Sequence, residues 1–150
     1  PVNPSQGTHS LSSFQPLQIV CIEHILHRLY AEVVQTVETK QICWVRPLVL
    51  AEHESLSSSH YEQSLCCPQI HDLRQGADLL LPTILFRAAM DVEVIPLLAQ
   101  LGTLDESKST GQETRLRLNQ FVRELCLSYP EIFANEVKKP NNRDRSNDAP

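Results

Sequence analysis

Glycine is scarce in this chain, with four residues among 150, and aromatic side chains make up only 5%. So little glycine argues against a fold dense in tight β-turns, because such turns draw on residues that tolerate positive φ. No run of about 18 apolar residues occurs, so no helical membrane span is expected. The longest near-continuous apolar stretch, Leu79 to Met90, is interrupted by Pro82, Thr83 and Arg87. The opening segment PVNPSQGTHSLSSFQP has neither a basic cluster nor an apolar run, so it does not read as a secretory signal. It also lacks arginine, which speaks against a transit peptide. The expectation is a cytoplasmic protein.

Catalytic signatures are missing as well. Neither GxGxxG nor a Walker-type phosphate loop is found, and there is no GxSxG elbow, HExxH or CxxC. A formal net charge of -5 disfavours nucleic acid as a partner, since phosphate binding needs a positive surface that displaces counterions. Arg115, Arg117 and Arg123, with Lys138, Lys139, Arg143 and Arg145, make only the C-terminal end basic, and a solvated helix face and tail account for them.

What is present is a chain of one ordinary domain's length, 41% hydrophobic and rich in Leu, Ile and Val, able to bury a core without disulfides. Five cysteines, an odd number at irregular spacing, fit free thiols in a reducing compartment. Residues 1–14 carry no charged side chain and read as a disordered arm. Residues 15–137 read as a single globular domain, and 138–150 (KKPNNRDRSNDAP) as a disordered tail.

Within the domain, Ile22, Ile25, Leu26, Leu29, Val33 and Val37 recur at spacings of three and four, which predicts a long amphipathic helix over 17–38. Ile42 to Leu50 reads as a strand, with Pro47 marking an edge or a break. Residues 52–64 form a polar connection, and Leu65 to Leu73 is a second extended segment, whose 69–73 part is able to pair with 42–50 as a two-stranded ribbon. Leu79 to Leu101 is apolar nearly all round and reads as a buried, proline-interrupted helical element. Its first piece starts at Pro82 and its second at Asp91, with Pro96 inside. Thr110 and Glu113 fit a capping box opening a helix over 112–128, with Leu118, Phe121, Val122 and Leu125 as its core stripe. Pro130 ends that helix, and one further turn follows. The fold class expected is mainly α, a small helical domain with a minor two-stranded β element, with α+β as the alternative.

Candidate chemistry rests on Cys and His. Cys21, His24 and His27 stand three apart, a spacing that on a helix lets side chains converge on one metal. A second set is Cys66, Cys67 and His71, with His53 and His60 upstream. Adjacent cysteines diverge in extended chain, and four tetrahedral ligands at zinc-site spacing are not found, so no metal and no cofactor is assigned. A nucleophilic site can be sketched from Cys66 or Cys67 with His71 and Asp72, but no activated-cysteine signature surrounds it, and no catalytic residue is named. In QICWVRP the single tryptophan, Trp44, is close to Arg46, and both residue types favour interface hot spots. With Tyr61 they form the candidate interface, against the bland reading of Trp44 as core.

Two runs, RLYAEVVQTVETKQICWVRPLVL (28–50) and HDLRQGADLLLPTILFRAAMDVEVIPLLAQL (71–101), resemble small uncharacterised proteins of cyanobacteria. The resemblance implies a bacterial cytosolic setting in a photosynthetic cell and transfers no activity, cofactor or site residue. The functional expectation is therefore a noncatalytic protein–protein interaction module: an adaptor, assembly factor or regulatory subunit with a protein partner, a homodimer left open, no nucleic acid and no membrane span. The alternative is a small metal- or thiol-dependent protein using Cys and His near 60–72.

Overall fold

The computed structural model describes residues 13–53, 68–104 and 111–134. They form an antiparallel sheet with helices on both faces, a sheet-dominated α+β architecture. This corrects the expectation of a mainly α domain.

The segment expected as a helix over 17–38 is instead a hairpin of β1 (Ile19–His24) and β2 (His27–Val37). Next come β3 (Ile42–Glu52), β4 (Gln69–Asp72), β5 (Leu79–Pro82), β6 (Arg87–Ala88), α1 (Asp91–Thr103), α2 (Gly111–Ser128) and α3 (Pro130–Ala134). The strand order is β4-β3-β2-β1-β6, with β5 also on β3. One edge of β3 is paired to β2 along its length. The other edge carries β5 against Ile42–Val45 and β4 against Val49–Glu52.

The difference between pattern and structure has a physical cause. Helix α2 covers one face, with Leu118, Phe121 and Leu125 against Val20, Ile22, Leu29, Val33, Val45 and Leu50. Helix α1 covers the other, with Val94, Leu97 and Leu101 against Cys21, Tyr30, Val49 and Ala51. Strands buried on both faces lose the apolar–polar alternation that marks a one-sided sheet. The spacing of three and four from Ile22 to Val37 then mimics a helix stripe by coincidence.

Two bulges blur the pattern further. The register slips between Val33 and Gln35 on β2 and between Tyr30 and Ala31 opposite the Pro47–Val49 stretch. Each slip inverts which parity faces which helix. Thus Cys43 and Val45 pack toward α2, while farther along the same strand Leu50 takes that side and Val49 the other. Pro47, which lacks an N–H, sits at the irregularity, and the Leu48 carbonyl accepts the Leu73 N–H at 3.0 Å.

The two turns that flank β2 are made without glycine, so scarcity of glycine did not exclude them. His24 pairs with His27, leaving Ile25 and Leu26 as the hairpin loop, and Ile25 has φ 53°. The β2–β3 connection is a short 3₁₀ turn, Glu38–Lys40, closed by Gln41 at φ 54°.

The stretch after Pro82 is not helical either. A 3₁₀ turn, Thr83–Leu85, leads into β6, and the helix begins only at Asp91. The segments expected as strand at 42–50 and helix at 112–128 correspond to β3 and α2. Phe14 packs in the core, and its carbonyl accepts the Thr36 hydroxyl at 3.2 Å. Thr110 and most of the 52–64 connection lie outside the described residues.

Candidate functional site

A row of histidines crosses the α2 face at the hairpin end of the sheet. His24 on β1 opposes His27 on β2, and His27 opposes Glu52 on β3. His71 on β4 opposes Leu50, which puts it on the same face and diagonal to Glu52. The Oε1 atom of Glu52 gathers two of them: His27 Nε2 and His71 Nε2 each lie 3.4 Å away, and Arg117 Nη1 reaches down from α2 to donate at 2.9 Å. Phe121 seals the row from beneath, its ring centroid 6.4 Å from His24 and 6.2 Å from His27. Ser128 Oγ lies 3.5 Å from His24 Nε2. Burial pushes the Glu52 carboxyl up, but His71, Arg117 and His27 outweigh it and hold it below the usual carboxylate range.

This cluster clamps α2 to the sheet. A carboxylate ion-paired with Arg117 and held below its usual range is a weak general base. Among the described residues, no three His, Cys, Asp or Glu side chains are grouped to hold a metal ion.

The α1 face carries a second network. Arg87 binds Glu93 through two bonds of 2.7 and 2.9 Å and Glu23 at 2.6 Å. Arg28 adds contacts to Glu23 at 3.2 Å and Glu93 at 3.7 Å. The hydrogen bonds from Arg87 hold Glu93 down to about 2. Beneath them lies Cys21, whose thiol burial pushes up to about 12. A thiol so shielded is an inert packing group rather than a nucleophile. Next to the network is a cavity of about 230 Å³ lined by Tyr30, His53, Glu93, Pro96, Leu97 and Gln100. Burial and the neighbouring Arg28 lower the His53 imidazole, which favours its neutral form. Ligand pockets usually span roughly 300–1,000 Å³, so this one is small for a metabolite.

The residues singled out in the sequence fall as follows. Trp44 and Arg46 are brought together by Asp78: Trp44 Nε1 donates to Oδ2 at 3.0 Å and Arg46 Nε to Oδ1 at 3.3 Å. Trp44 is 37% exposed, opposite Leu80 on β5, so it belongs to an open part of the sheet rather than to the core. Tyr61, His60, Cys66 and Cys67 lie outside the described residues. The Cys21, His24 and His27 set is split by the sheet, because Cys21 faces α1 and the two histidines face α2. His71 and Asp72, adjacent on a strand, also point to opposite faces, and Arg74 holds Asp72 through bonds of 3.0 and 2.8 Å.

One feature was missed by sequence reasoning altogether. Helix α1, expected to be buried all round, buries only Val94, Leu97 and Leu101. Its far side exposes Val92 at 77%, Ile95 at 64% and Leu98 at 43%, with Ala99 and Gly102 beside them. The available signal was position: both acidic residues of α1, Asp91 and Glu93, lie in its first turn, leaving its outer face uncharged. No helix among the described residues is long and apolar enough to cross a membrane. No family model, curated protein or solved structure matches this chain.

Proposed function

We propose that this protein is a noncatalytic interaction module, an adaptor, assembly factor or regulatory subunit, whose protein partner docks on the outer face of α1. The observation that carries the reading is the stripe of Val92, Ile95 and Leu98, left open to water although α1 already covers the sheet. Apolar surface in water costs roughly 25 cal/mol per Å², which a docked partner recovers. The chemistry-bearing groups favour the same reading. Glu52, Glu93, Glu23, Asp72 and Asp78 are each held by an arginine. Cys21 and Cys43 are buried thiols, both raised chiefly by desolvation. Free thiols at Cys21, Cys43 and Cys126 fit a reducing cytoplasm.

The test compares the full chain with Ile95→Glu and with Leu116→Glu, a control on the exposed side of α2. A protein bound in stoichiometric amount by the parent and by Leu116→Glu, and lost by Ile95→Glu, is the expected result. Equal retention by all three would remove α1 from the docking surface and the reading with it.

A further inference from the structure

The geometry points to a second copy of this chain as the occupant of the α1 face, packed antiparallel about a dyad at residue 97; the inference rests on the docking role proposed above. Val92, Ile95, Ala99 and Gly102 are spaced three, four and three apart, the spacing of a and d positions in a helix–helix seam. Antiparallel packing sets a positions against d positions of the neighbour. About residue 97, Val92 then meets Gly102 of the second copy, and Ile95 meets its Ala99.

Each pair sets a large side chain against a small one, so the two helices interlock without overpacking. The space above Gly102 is open, with no atom within 4 Å of where a Cβ would stand. A parallel pairing has no such match, since it sets Val92 and Ile95 on their own copies and leaves Ala99 and Gly102 facing each other across a gap.

Charge agrees with the same direction. The seam itself is neutral, and the exposed Asp91 flanks it at the helix N-terminus. The antiparallel pair keeps the two Asp91 carboxylates at opposite ends of the seam, whereas a parallel pair sets like charge beside like charge. The two helix dipoles also run in opposition, the favourable sense. A foreign partner requires none of this internal symmetry. A single helix pair buries less than the roughly 1,200–2,000 Å² of a standard interface, so the association is expected in the micromolar range.

The experiment is sedimentation velocity of the full chain from micromolar to millimolar concentration, with far-ultraviolet circular dichroism to confirm that each variant is folded. The parent is expected to pass from monomer to dimer. Ile95→Glu and Ala99→Lys, both at solvent-exposed positions, should each weaken dimerisation by about tenfold or more. Mixed in equal amounts they should dimerise again, because Glu at 95 of one copy meets Lys at 99 of the other. A parent that stays monomeric throughout, a dimer indifferent to Ile95→Glu, or a mixture that does not recover each overturns the proposal. A monomeric parent whose stoichiometric partner is still lost by Ile95→Glu rejects the second copy while leaving the docking face in place.

Discussion

Arg87 grips both carboxylate oxygens of Glu93, Nη2 to Oε1 at 2.7 Å and Nη1 to Oε2 at 2.9 Å. Glu93 Oε2 also accepts the Met90 N–H at 3.0 Å, the reach-back half of a capping box. One carboxylate therefore fastens the edge strand β6 to the first turn of α1. Glu93→Gln should cost about 2 kcal/mol in urea unfolding at neutral pH. The folded carboxyl lies near 2 and its ordinary value is 4.5. Its contribution is thus fully present above 4.5 and drains as pH falls toward 2. The parent should lose its advantage over Glu93→Gln across that window. An advantage that persists in acid would mean that the ion pair contributes little.

The Glu52 clamp has a similar sign and a different location. Replacing Glu52 by Gln leaves Arg117, His27 and His71 around a neutral group, and a loss of about 1–3 kcal/mol is expected at neutral pH. Because the folded carboxyl is depressed, the loss should shrink as pH drops below the ordinary value of 4.5. Hydrogen exchange should rise first in α2, the element that Arg117 anchors. Faster exchange confined to α1 instead would contradict the assignment.

Ile25 turns the β1–β2 hairpin at φ 53° while 84% exposed. A β-branched residue is strained there and buries nothing in return. Ile25→Gly removes the strain but loosens the unfolded chain, and a net gain of about 0.5–1 kcal/mol is expected. The urea midpoint measures it, and a lower midpoint would refute the strain.

Cys21 and Cys43 are buried on opposite faces, whereas Cys126 is half-buried on α2. In a time course with iodoacetamide at neutral pH, peptide mapping should show Cys126 modified well before the other two. Both should react only at the rate of unfolding. Modification of Cys21 as fast as Cys126 would restore the thiol chemistry that its burial argues against.

Parts of this fold were legible in the sequence. Leu118, Phe121 and Leu125 marked α2 because that helix buries a single stripe and leaves the other side polar. Ile42 to Leu50 marked β3 through its β-branched residues and through Pro47, which demanded an irregularity. The hairpin from Ile19 to Val37 was illegible for the opposite reason: both its faces are covered, and its turn uses Ile25 where glycine or asparagine is the usual signal. The Glu52 cluster was unreadable because its members come from β2, β3, β4 and α2, and only strand register aligns them.

The sequence by itself determined the net negative charge and the absence of phosphate-loop and zinc-site spacing. These are properties of composition and of neighbours along the chain. Tertiary structure alone decided that His27, His71 and Arg117 surround one carboxylate, that Cys21 lies across the sheet from them, and that α1 turns Val92 and Ile95 outward. Each depends on which face a side chain takes. In a sheet with two bulges and helices on both sides, that choice follows from pairing between distant segments, which no local pattern records.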